Sequence, residues 1–179
     1  MIIKNVEVIA MKAIVIIAQK GFQDTEYEKT TEVLKKGGVQ VTVASQTTDI
    51  ATGKVKAKVT PDIAVSKASV KDYDAVVIIG GPGTDSLAAD ASVISLVKDA
   101  RKMGKTVAAI CIAPIILAKA GILQGRKATV FSTGRKEIEA GGAIYQLSDV
   151  VIDKGVITGS GPEASTKFGE AIVKALKGG

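Results

Sequence analysis

Short, nearly unbroken apolar runs alternate along this chain with polar stretches of helical period. Lys12 to Ala18 (KAIVIIA), Val39 to Ala44, Asp74 to Ile79 (DAVVII) and Thr106 to Ile110 (TVAAI) are rich in β-branched residues, as strands buried on both faces of a parallel sheet are. Thr25 to Lys36 turns Glu and Lys outward and Val33 and Leu34 inward, and Gly37-Gly38 stops it; Ser92 to Met103 is a second amphipathic helix, ended by Gly104. Ile112 to Ala120 reads as a third. Lys54 to Thr60 (KVKAKVT) alternates lysine with small apolar residues and predicts an exposed edge strand before a Pro61-Asp62 turn. Further on, Lys127 to Phe131 predicts a short strand and Arg135 to Ala140 a short helix. Val150 to Asp153 and Val156 to Thr158 predict a turn-linked strand pair. Residues 160–177 predict a closing helix with Phe168, Ile172, Val173 and Leu176 on one face. The alternation predicts a single α/β domain over 11–179, a sandwich with a mostly parallel sheet. Residues 1–10 read either as an extra edge strand or as an extension from an upstream start.

Composition narrows the chemistry more than the architecture. At 179 residues, 46% of them hydrophobic, the chain can bury one well-packed core. Its one cysteine excludes an internal disulfide and makes a reducing cytoplasm the expected location. Histidine is absent, which removes Ser-His-Asp triads, Cys-His dyads and the usual zinc sites, so no metal is expected. The loop GGPGTDS has neither GxxxxGK[ST] nor GxGxxG spacing, and no cofactor is expected either. The net charge of +6 comes from dispersed lysines, with three Phe, three Tyr and no Trp to stack on bases, so the expected partners do not include nucleic acid. Lys4, Glu7 and Lys12 interrupt the apolar amino end, which argues against a signal peptide or a membrane span.

Chemistry therefore rests on Cys111, carboxylates and the backbone. Cys111 falls where strand 106–110 gives way to a helix, a place that pushes a side chain out at the carboxyl edge of a sheet toward free N–H groups. It has two readings, a nucleophile or a small apolar filler. Two other strand ends point to the same edge: the loop holding Glu26, with Asp24 and Glu28 as competitors, and the loop holding Gly80 and Gly81. If the three converge, a protonated Glu26 would stabilise a Cys111 thiolate and lower the thiol pKa, with the helix start acting in the same direction.

The combination of AICIAP, GGPG after DAVVII, and AQKGFQDTEYEKTTEVLKKGGVQVTVAS resembles the ThiJ/PfpI superfamily over Met11 to Leu176, in particular its Parkinsonism-associated deglycase-like members. The resemblance implies a flavodoxin-like three-layer sandwich of the class I glutamine amidotransferase type, with Cys111 at a nucleophile elbow and Glu26 as its carboxyl partner. It implies Gly81 and Ile112 as backbone donors, and the segment 158–165 (TGSGPEAS) implies a homodimer or higher homo-oligomer. Protease-like members carry a histidine where this chain has Ile112. Deglycase-like members often carry one where Phe131 falls. The expected function is thus attack of Cys111 on reactive 2-oxoaldehydes such as methylglyoxal, or deglycation of glycated protein. A redox-sensing or chaperone stress protein is the alternative, and an intracellular cysteine peptidase is disfavoured.

Overall fold

A computed structural model describes residues 9–178. The chain runs β1 (Lys12–Ile16), β2 (Lys20–Phe22), α1 (Asp24–Lys36), β3 (Gln40–Ser45), β4 (Ala51–Gly53), β5 (Lys58–Val59) and β6 (Ile63–Ala64). It continues through β7 (Ala75–Ile78), α2 (Thr84–Ala88), α3 (Ala91–Lys102), β8 (Thr106–Ile110), α4 (Pro114–Lys119), β9 (Lys127–Ala128) and α5 (Arg135–Ala140). The final elements are β10 (Ile144–Tyr145), β11 (Val150–Asp153), β12 (Val156–Gly159) and α6 (Ser165–Leu176).

The apolar runs that opened the sequence are the middle of a seven-stranded sheet in the order β11-β12-β8-β7-β1-β3-β6. All neighbours are parallel except the β11–β12 pair. Ile14 to Ile17, Val76 to Ile79 and Val107 to Ile110 are fully buried, because α1 and α6 cover one face and α3 and α4 the other. This is the expected three-layer α/β sandwich. From β1 the chain moves outward to β3 and β6, then returns to place β7 on the other side of β1. The carboxyl ends of β1 and β7 therefore flank a topological switch point, the usual ligand crevice in such sheets. Among the described residues, no helix is long and apolar enough to cross a membrane.

Several boundaries differ from the sequence reading, each for a local reason. The edge strand expected over Lys54 to Thr60 shrinks to Lys58–Val59, which is β5 at the edge of a three-stranded sheet: residues 54–57 form a turn between β4 and β5, with Lys56 at φ 73°. The Asp24 carboxylate, remote in sequence, captures backbone N–H groups that an alternating pattern would have given to a sheet. α4 begins at Pro114 rather than Ile112, since residues 111–113 make the elbow turn. The 127–131 strand shrinks to β9, and Pro162–Ala164 precede α6 as a 3-10 turn. α2, β2 and β4 have no counterpart in the sequence reading. The suggested extra strand in 1–10 lies almost wholly outside the described residues, and Ile9 and Ala10 are not in a strand.

Candidate active site

Cys111 follows β8 directly and adopts φ 63°, one of three non-glycine residues with positive φ among those described. A left-handed conformation costs an ordinary residue roughly 1–2 kcal/mol, so something must hold it. Both of its backbone groups are fixed: its N–H donates to Gly159 O at 2.9 Å and its carbonyl accepts from Phe131 N–H at 2.7 Å. The carboxyl end of β12 and the segment after β9 thus clamp the elbow. The thiol is buried, at 8% exposure, but it still lines a cavity.

Glu26 reaches the same place from α1. It occupies the third helical position after the cap Gln23, where a glutamate commonly bonds back to the cap N–H. Here Gln23 N–H donates instead to Gly80 O at 2.8 Å, and Glu26 Oε2 accepts from Gly80 N–H at 2.9 Å. The Gly80 peptide therefore straps the β7 loop to the start of α1. A Cβ at Gly80 would lie 2.7 Å from Ile110 O and 2.8 Å from Cys111 Cβ, so only glycine lets the loop pass this close to the elbow.

Electrostatics make the two side chains one titrating unit. Glu26 is fully buried, and this burial raises its carboxyl from 4.5 to about 7, despite the lowering effects of Cys111, Gly80 N–H and Lys54. With the carboxylate charged beside it, Cys111 is pushed up to about 12 by burial first and by Glu26 second, against the N–H groups of Ile112 and Gly81. The expected lowering of the thiol pKa is therefore reversed, because burial and the carboxylate outweigh two backbone donors. The pair releases its first proton near pH 7 and keeps the second over the physiological range. In that singly charged state the charge rests mainly on the Glu26 carboxylate and the proton on Cys111, and the Ile112 and Gly81 N–H groups reduce the cost of exchanging the two. Glu26 Oε1 has no partner of full hydrogen-bond geometry, so one carboxyl oxygen remains free to accept a proton from the thiol.

The cavity beside this pair has a volume of about 300 Å³. Gly81, Pro82, Ile112, Phe131 and Pro162 give it an apolar lining, and Gln23, Lys54, Thr84, Asp85 and Thr133 supply polar groups. Of the candidate residues that the sequence singles out, Cys111, Glu26, Gly80, Gly81 and Ile112 come together. Phe131 lies at the rim, 42% exposed, in the residue before a 3-10 turn rather than within a strand. Asp24 belongs elsewhere: its oxygens accept from Val55 N–H and Ala57 N–H, each at 2.8 Å. Glu28, the other competitor, is exposed. Sequence reasoning missed Lys54, which lines the cavity from the β4–β5 turn and whose charge acts on Glu26. Among the described residues, no group of three or more His, Cys, Asp or Glu could hold a metal ion.

With this geometry in place, comparison with known proteins is specific. A protein of Methanocaldococcus jannaschii with no assigned function is 37% identical over 169 residues, covering 93% of this chain and 82% of that one. The glutathione-independent glyoxalase DJR-1.2 of Caenorhabditis elegans is 32% identical, covering 93% and 89%. Among solved structures, a ThiJ/PfpI domain protein from Brachyspira murdochii superposes with a TM-score of 0.91 at 28% identity, over 93% of this chain and 96% of that one. Drosophila melanogaster DJ-1beta gives 0.87 at 28% identity, over 95% and 92%. The model of the DJ-1/PfpI family matches residues 11–175, and the chain belongs to that family.

Proposed function

We propose that this protein is a cysteine-dependent enzyme that converts small 2-oxoaldehydes such as methylglyoxal to 2-hydroxy acids. The observation that carries the reading is the buried Glu26–Cys111 pair, which shares one proton at neutral pH and opens on a small, partly apolar cavity. The glyoxalase among the relatives supports the same reading.

In the first step, the Glu26 carboxylate takes the thiol proton, the sulfur adds to the aldehyde carbon and the carbonyl electron pair moves to oxygen, giving a hemithioacetal. The N–H groups of Gly81 and Ile112 are the donors for that oxygen. Glu26 first gives its proton to the oxygen. As carboxylate, it then removes the hydrogen from the former aldehyde carbon, and the resulting enediol is reprotonated at the neighbouring carbon. The product is a thioester of the 2-hydroxy acid. Water hydrolyses it, releasing lactate from methylglyoxal and restoring the thiol. One water is consumed and no oxidant is needed. Without histidine, one carboxyl must make every transfer, which suits proton movement between adjacent carbons better than expulsion of an amide nitrogen. Incubation with methylglyoxal should yield lactate and Cys111→Ser should yield none; equal lactate from both would remove this function.

A further inference from the structure

The β4–β5 turn is fixed by five hydrogen bonds and presents one side chain to the cavity. Lys54 N–H donates to Phe22 O at 2.7 Å, Gly53 N–H to Ala57 O at 2.7 Å and Lys56 N–H to Gly53 O at 3.1 Å. The Asp24 carboxylate takes the remaining N–H groups, those of Val55 and Ala57. The backbone of Gly53 packs so closely on that carboxylate that a Cβ there would overlap it. Of residues 53–57 only Lys54 lines the cavity. Among the described residues its ammonium group has no ion-pair partner. Asp85, the other charged residue of the lining, is not among the groups that perturb Glu26 or Cys111, whereas Lys54 acts on Glu26. An anion approaching the singly charged pair would meet repulsion, and among the described residues Lys54 is the one cation lining its route.

We propose that Lys54 is a specificity-determining residue that selects aldehydes bearing an anionic group, carboxylate or phosphate, near the carbon attacked by Cys111. The aldehyde half of this proposal rests on the proposed function, and the anionic half on Lys54. The 2-hydroxy acid product carries the same charge, so Lys54 also holds product and makes carboxylates competitive inhibitors.

Alkylation of Cys111, the only cysteine in the chain, separates the two halves. Iodoacetate and iodoacetamide form the same S–C bond and expel the same iodide, but only iodoacetate is an anion. The ratio of their rates cancels any change in thiolate population caused by removing Lys54. At low salt, Lys54→Gln is expected to lower the iodoacetate-to-iodoacetamide ratio about five-fold. Lys54→Arg should preserve it, and added salt should bring the wild-type ratio toward that of Lys54→Gln. A ratio unchanged in Lys54→Gln overturns the proposal. A Lys54-dependent ratio in a protein that makes no lactate keeps anion selection and removes the oxoaldehyde reading.

Discussion

Asp24 and Glu26 stand in the same first turn of α1, both withdrawn from solvent, and their surroundings drive them in opposite directions. Burial raises each carboxyl. At Asp24, N–H donors from Val55 and Ala57, with Lys54 nearby, more than offset burial, and the net direction is down. At Glu26 one backbone donor and a thiol do not, and the carboxyl rises to about 7. The number of donors facing a carboxylate decides whether it serves as a permanent anion or a proton carrier. Asp24 holds a turn, and Glu26 holds a proton.

Removing the nucleophile tests the reactive side of this comparison most severely. Cys111→Ser should reduce lactate formation more than about a thousand-fold, because a serine hydroxyl here has no base strong enough to activate it. Glu26→Gln should lower turnover about a hundred-fold or more, with Cys111 still open to alkylation; retention of most of the rate would mean that another group moves the proton.

The same Glu26→Gln variant should be more stable than the wild type at alkaline pH. Because the folded-state pKa of Glu26 lies above its ordinary 4.5, its contribution is fully present below that value and is lost as pH rises through about 7. A neutral amide avoids this loss, so the variant should gain about 3 kcal/mol above pH 8 and almost nothing at pH 4. Urea unfolding at both pH values would measure it, and a gain equal at both would break the assignment.

Asp24→Asn should show the opposite profile. A lowered folded-state pKa gives stability that is present above the ordinary 3.8 and lost as pH falls through the folded value. The amide would also oppose one N–H donor with another, so the variant should lose about 1–2 kcal/mol at pH 7 and less in acid. Hydrogen exchange should show residues 53–58 opening first; no change there would contradict the anchoring role.

The central strands and the elbow were legible in the sequence because they depend on local runs: β-branched residues before Cys111 and helix formers after it. Convergence of the Glu26, Gly80 and Cys111 loops was also legible, because parallel strands deliver all their carboxyl ends to one edge. What escaped was decided by contacts distant in sequence. KVKAKVT alternates as a strand should, but Asp24, some thirty residues upstream, bends residues 54–57 into a turn and leaves only Lys58–Val59 as strand. Lys54 therefore read as surface lysine rather than as part of the cavity. The direction of the Cys111 shift also escaped, because it depends on how fully the pair is buried, which no residue pattern states.

The pH profile of Cys111 alkylation by neutral iodoacetamide, in wild type and Glu26→Gln, tests the shared proton most directly. The predicted wild-type rate rises with a midpoint near pH 7, where the pair loses its first proton, and Glu26→Gln moves that midpoint to higher pH. Coincident profiles with a midpoint near 9.0, the ordinary thiol value, would show that Cys111 titrates alone and would contradict the account.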